Sequence, residues 1–457
     1  MKFSRRSALA GLASLTVASP LRAEQVDIAK QLREIMVASR SRFDAAMFEL
    51  NKVAGPELIS PLIFAMRFSP NPYPTIVDLL EKITGEKVGD TWHDWMLWQE
   101  AHPEFTPHPA YIDMKRDLYL RIDPYFDVFL KPEHLQPDRM KIRFEEMTWG
   151  GVRKDGIPSL DNPIQVAADA PEAEYLLDED LVFGVAVNGD IRAYPLRIMG
   201  WHEMFNDVVG GVPLAMAYCT LCGSGILFET QIDGYEEPFS FGSSGFLYRS
   251  NKLMYDRGTN SLWNQFTGRP VSGELVDSGI ELRQRPIAIA PWGDWKRRNP
   301  DTKVITLRTG FSRDYGSGVV YNEYFSSPDL MFPALVNQEK LRQKDYVFGV
   351  RTFGGAKAWA LKAFEGSAVI NDIVADLPIV IIGDAASRTV RAYERGDLSF
   401  AADVSDDELS ANDQTWKITE EALRGPDGTL KPRVAGHIAY WFAWDGYLGA
   451  KSELVGG

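Results

Sequence analysis

The sequence predicts an α+β protein, with a helical N-terminal domain followed by two pseudo-symmetric β-rich units from an internal duplication. Three observations carry this expectation. Residues 24–140 space their apolar side chains at three- and four-residue intervals, the period of an amphipathic helix. From about residue 164 the pattern changes to short apolar runs bounded by turn formers, the texture of strands. The stretch Asp180–Pro213 also recurs without a gap as Asp345–Pro378, with twelve of thirty-four positions identical, against roughly two expected from average composition.

Residues 1–23 read as an export signal. Ser4-Arg5-Arg6-Ser7-Ala8-Leu9 is a twin-arginine pattern, and Pro20-Leu21-Arg22-Ala23 offers cleavage before Glu24. The apolar run between them is too short to span a bilayer. The expected location is the periplasm, reached by the twin-arginine route, with no transmembrane helix in the mature chain. An ordinary secretion signal is the plainer alternative, because Ala8 stands where a bulky apolar residue is usual.

In the helical domain (24–140), PTIVDLLEKITG ends on a glycine stop, and TWHDWMLWQEAHPE puts Trp92, Trp95 and Trp98 on one helix face. Such a stripe is a packing seam before it is a ligand platform. His93, His102, His108 and His134 lack metal-ligand spacing.

The first β-rich unit (141–310) opens with the turn-rich WGGVRKDGIPSLDNP. LVFGVAVNGDIRAYPL reads as a hairpin turning at Asn188-Gly189. RIMGWHEMFNDVV reads as a short helix, VPLAMAYC as a strand, and ILFETQI as a strand after the CTLCGSG turn. The second, degenerate unit (311–457) repeats this order through IVIIG and TVRAYER. Fainter echoes pair Ser261-Leu262-Trp263 with Gln414-Thr415-Trp416, and WGDWKRRNPDT with WFAWDGYLGAK.

Composition narrows the function. The formal net charge is −14 over 457 residues, and removing Lys2, Arg5, Arg6 and Arg22 would make it more negative. A surface that acidic disfavours nucleic acid and anionic membrane as partners. No GxSxG elbow, P-loop or GxGxxG at a strand–helix junction occurs, so hydrolase and nucleotide-binding readings lack support. No small-molecule or protein partner is indicated.

A duplicated unit repeats what its fold requires, so residues present in one copy only are candidates for chemistry. His202, Cys219 and Cys222 stand opposite Ser367, Asp384 and Ser387, and Glu203 stands opposite Ala368. Cys219 and Cys222 are the only cysteines of the chain. At CxxC spacing they can close a small disulfide ring or chelate one soft metal. Two thiolates satisfy Cu(I), and an added imidazole suits either copper state. Zinc usually asks for four protein ligands, and haem attachment is excluded because Gly223 stands where CxxCH needs histidine. His202, seventeen residues before Cys219, is the expected third ligand. Asn206 and Asp207 recur as Asn371 and Asp372 and are expected to fix a turn in both units. A polar tract, FGSSGFLYRSNKLMYDRGTNSLWNQFTG, adds Arg249, Met254, Asp256 and Arg257. These could bind a ligand or support the site, with Met254 a soft axial ligand and the others equally able to hold turns together.

The blocks IRFEEMTWGGVRKDGIPSLDNP, RAYPLRIMGWHEMFNDVVGGVPLAMAYCTLCGSG, FGSSGFLYRSNKLMYDRGTNSLWNQFTG and PWGDWKRRNPDTKV resemble, in order, those of domain-of-unknown-function family 3179, over about residues 140–457. That family usually has proline inside its CxxC, where this chain has Thr220. The resemblance implies an exported or membrane-associated bacterial domain without an established activity. Three functions follow as expectations. The first is an exported metal-binding protein, copper before zinc, with Cys219, Cys222 and His202 as ligands. The second is a periplasmic thiol–disulfide oxidoreductase using the CxxC, and the third a non-catalytic scaffold. Whether the protein is an enzyme is left open by the residues alone.

Overall fold

The computed structural model describes residues 26–37, 39–71, 74–402 and 407–457. The expected signal at 1–23 lies outside them. The chain is a mixed α+β protein whose N-terminal region is helical, as the apolar periodicity implies. Helices α1 (Ile28–Val37), α2 (Arg40–Lys52), α3 (Ile59–Phe68), α4 (Pro74–Thr84), α5 (Trp92–Ala101) and α6 (Ala110–Ile122) share one core. Trp95 and Trp98 are buried in it, as a packing seam requires. This core continues onto Phe246 and Tyr255 of the strands Phe241–Tyr248 and Asn251–Asp256. No helix among the described residues is long and apolar enough to cross a membrane.

The β-rich region contains two sheets of the same order. In the first, Ala288–Pro291, Leu181–Val187, Asp190–Pro195, Lys303–Ile305 and Gln165–Ala167 lie side by side. In the second, the order is Gly436–Tyr440, Tyr346–Arg351, Ala356–Ala360 and Ser452–Val455. The hairpin of each sheet pairs antiparallel with the first-named strand, and its second arm pairs parallel with the next. The expected turn at Asn188-Gly189 is present, with both residues left-handed. After each hairpin come a short helical segment and a further antiparallel set of strands. These are Met204–Val209, Val212–Cys219 and Ser224–Glu229 in one case, and Ala368–Val374, Leu377–Asp384 and Thr389–Glu394 in the other.

Side-chain contacts run in parallel. Trp295 of α8 (Trp292–Arg298) lies where a Cβ on Gly184 would stand, and Trp444 of α10 (Trp441–Leu448) does the same at Gly349. Asn206 brackets the backbone of Phe241 through its amide (2.8 and 2.9 Å), as Asn371 brackets Phe400 (2.8 and 2.7 Å). Phe241 meets Trp263 edge-on at 5.3 Å, and Phe400 meets Trp416 at 5.5 Å. Arg192 pairs with Asp207, and Lys357 with Asp372, both at 2.8 Å.

Two local expectations are corrected. RIMGWHEMFNDVV is not one helix: α7 (Leu196–His202) stops at Glu203, whose φ of 54° is left-handed, and Met204–Val209 is a strand. The Asn-Asp pair therefore sits inside strands and ties a neighbouring segment down rather than fixing a turn.

Because an added methyl at Gly349 would overlap the Trp444 ring, Gly349→Ala should cost about 3 kcal/mol in urea unfolding. Adding Trp444→Leu should recover part of that loss. His437, paired across from Gly349, is fully buried, and burial followed by Arg351 lowers its pKa to about 3. The unfolded chain takes up this proton near the ordinary imidazole value while the folded chain stays neutral. Stability should thus be full above about pH 6.5 and fall as pH drops toward 3. His437→Gln should flatten that slope.

Candidate functional site: a buried dithiol turn

The strand Val212–Cys219 ends in a single 3-10 turn, Thr220–Cys222, before Ser224–Glu229 leads away antiparallel. Gly223 makes the reversal with a φ of 58°. A Cβ there would lie 3.1 Å from Tyr346 and 3.2 Å from Tyr440, so glycine is required by both conformation and space. The turn brings the sulfurs of Cys219 and Cys222 to 2.9 Å, both buried. Burial, then the hydrogen bond shared with Cys219, pushes the Cys222 thiol well up, and the Asn251 amide opposes this at 3.1 Å from the sulfur.

The turn that aligns with it in sequence, Asp384–Ser387, is held differently. Ser387 donates its backbone N–H (2.8 Å) and hydroxyl (2.5 Å) to Asp384. The backbone path therefore does not depend on sulfur.

Glu203 is the acidic neighbour of the thiols. It accepts from the Thr220 hydroxyl within the turn at 2.7 Å and from Tyr321 at 3.4 Å. Its charge is balanced by Lys252 at 3.1 Å, the two side chains being only 8% and 4% exposed. Gln265 donates to the carbonyls of Ala217 and Ser224 and accepts from Asn251, locking the two strands beside the turn. Ser250 Oγ and Asn251 Oδ1 are buried without a hydrogen-bond partner among the described residues. The turn is covered by α9 (Asn322–Ser326), anchored by Tyr324 donating to the Leu221 carbonyl at 2.6 Å.

Of the residues singled out from sequence, Cys219, Cys222 and Glu203 come together, and Met254 packs in the same core as the thiols. His202 faces elsewhere. Its Nδ1 lies 2.8 Å from the Pro158 carbonyl, which can only accept, so Nδ1 carries the hydrogen and Nε2 accepts from the Tyr315 hydroxyl at 2.6 Å. Burial lowers its pKa, which keeps the ring neutral. Among the described residues no group of three or more His, Cys, Asp or Glu side chains gathers as a metal site. Asp256 holds the Thr259 turn and the Trp263 indole, and Arg257 binds Asp161 and Ser159. Arg249 joins Glu146 and, in the helical region, Glu100. These three support the fold around the site rather than line it.

Sequence reasoning missed Asn251, Lys252, Gln265, Tyr321 and Tyr324. The first three lie in the flagged polar tract, where Arg-Ser-Asn-Lys looks like an exposed hairpin tip. Breaking a buried ion pair on one side leaves a lone charge, at about 3–5 kcal/mol. Lys252→Met should therefore destabilise the protein by about 3 kcal/mol, and Glu203→Gln added to it should restore most of the loss. The urea midpoints of the two singles and the double test this coupling.

No curated protein and no solved structure matches the chain. Residues 154–450 match the model of a family described as Protein of unknown function (DUF3179). The chain belongs to that family.

Proposed function

We propose that the protein is a thiol–disulfide exchange protein whose working couple is Cys219–Cys222. The observation that carries this is the 2.9 Å approach of two buried sulfurs at a turn the second unit builds without them. A covalent S–S bond is about 2.05 Å, so closing the ring needs only a small shift. In the reaction, a partner disulfide is attacked and reduced to two thiols, the Cys219–Cys222 bond forms, and two protons leave the site. Glu203, hydrogen-bonded into the turn and neutralised by Lys252, is the acceptor nearest at hand for one of them. Partner access requires α9 to lift, since Tyr324 and Tyr321 close the site from that side.

The fold reading attached to this is an internal duplication, with a helical domain at 24–140 and β-rich units at 141–310 and 311–457. The matching strand order, the paired indole–glycine contacts and the two Asn–Phe brackets support it. On this reading the chemistry was gained or kept in one copy. Export to the periplasm through the twin-arginine segment fits a redox couple, because disulfides persist there.

Bound copper, or failing that zinc, is the second reading. What favours it is the pair of unpartnered buried oxygens, Ser250 Oγ and Asn251 Oδ1, on the segment touching Cys222. With His202 engaged by Pro158 and Tyr315, such a site would rest on the two thiolates, with these oxygens beside them and no imidazole.

Protein purified from periplasm without chelator distinguishes the two. Exchange predicts a reversible loss of two hydrogens per chain in a glutathione redox titration, abolished by Cys219→Ser, with no stoichiometric metal. Stoichiometric copper or zinc that shields the thiols from alkylation until a chelator is added would replace the exchange reading with the metal one.

A further inference from the structure

Next to the thiol turn, on the far side of α9, lies an open cavity of about 270 Å³. Tyr218, the residue before Cys219, lines it, and so do Val320 and Phe325 from the covering segment. Leu181 and Leu196 complete an apolar wall. The cover thus turns Tyr321 and Tyr324 toward the thiols and its other face toward this space.

The charges are unequal. Asp180 is neutralised by Arg197 at 2.8 Å and accepts from the Ser317 hydroxyl at 2.7 Å, and Glu179 is an exposed rim residue. Arg388 has no carboxylate partner among the described residues. Its guanidinium donates to the Tyr346 hydroxyl at 2.7 Å and lies 5.0 Å from that ring. Tyr218 is within electrostatic reach of both, and its hydroxyl makes no hydrogen bond among the described residues.

Arg388 also occupies an expensive position. It stands opposite Gly223 in the two-copy alignment, and both adopt the same left-handed backbone, with φ of 57° and 58°. A side chain in that region costs about 1–2 kcal/mol where glycine costs nothing. Strain of this kind is retained where the side chain serves a purpose.

We propose that this cavity is the substrate pocket of the dithiol and takes a small organic disulfide that bears a carboxylate on an apolar body and is reduced to two thiols as the Cys219–Cys222 bond forms. The carboxylate meets the Arg388 guanidinium and the Tyr218 hydroxyl, and the body lies on Leu181, Leu196, Val320 and Phe325. A void of about 150 Å³ accepts one benzene ring, so a substituted ring fits. The assignment as a substrate pocket rests on the exchange reading; the anion site itself does not.

The test uses two aromatic disulfides on the reduced protein, the dianionic bis(carboxynitrophenyl) disulfide and the neutral dipyridyl disulfide. Arg388→Gln should lower the ratio of anionic to neutral reaction rate by about tenfold, the worth of one charge-assisted hydrogen bond. Arg388→Lys, which keeps the charge, should retain most of the ratio. An unchanged ratio in Arg388→Gln overturns the proposal.

A second measurement is independent of thiol chemistry. Nitrobenzoate should bind the Cys219→Ser/Cys222→Ser protein in a calorimeter, and adding Arg388→Gln should abolish that binding. If nitrobenzoate binds but neither disulfide reacts, exchange is lost and the anion site stands. If nitrobenzoate does not bind, or binds equally without Arg388, the pocket is lost whatever the thiols do.

Discussion

The packing of an indole ring directly on a glycine is the contact on which the β-rich region depends. Trp295 on Gly184 and Trp444 on Gly349 let each crossing helix lie against its hairpin with no side chain between. This fixes the depth of the hairpin, and the following strands are built outward from it. The two halves then bury a common core in which Phe183, Tyr218 and Leu227 meet Phe348, Trp359 and Ile381. Protein interiors pack as densely as organic crystals and relax poorly around misfits, so the thiol turn inherits its position from these two contacts.

That position is dry, and dryness governs the chemistry. A thiolate is disfavoured in a low-dielectric interior unless donors or cations compensate it. Burial pushes the Cys222 thiol well up, and the compensation around it is slight, an Asn251 amide against the second thiol and the nearby Glu203 carboxylate. Reactivity must therefore come with opening. The cover is a short element, α9, preceded by Tyr321, and it meets the site through the Tyr324 hydroxyl on the Leu221 carbonyl and the Tyr321 hydroxyl on Glu203.

How much of this was legible in sequence follows from what each inference rested on. The hairpin at Asn188-Gly189, the turn at Gly223 and the recurrence of Asp180–Pro213 are carried by residue types with strong local preferences, and the structure has elements at those places. His202 was a different matter. Its distance along the chain from Cys219 suits a shared site, but a helix turns about 100° per residue, and Glu203 leaves the helix with a left-handed backbone. Of two adjacent polar residues, one reaches the thiol turn and the other points to Pro158 and Tyr315, and no periodicity says which. Lys252 was hidden for the opposite reason. A lysine beside Asn and Ser reads as a solvated hairpin tip, and only the carboxylate that Glu203 places there makes its burial tolerable.

The segment that aligns with the thiol turn, Asp384–Ser387, carries no sulfur yet is not a bystander. It needs only an aspartate and a serine to hold its shape, which frees the next position from being glycine. That position carries Arg388, while Tyr346 and Tyr440 press against Gly223 and leave it no room for a side chain. Residues after 340 therefore supply the surface on which the sulfur turn is seated. A mutation that placed glycine at Arg388 would relax the backbone there and remove the one cation facing Tyr218 without a carboxylate partner among the described residues. Stability and ligand recognition pull in opposite directions at that residue, which is the pattern expected where a fold carries function.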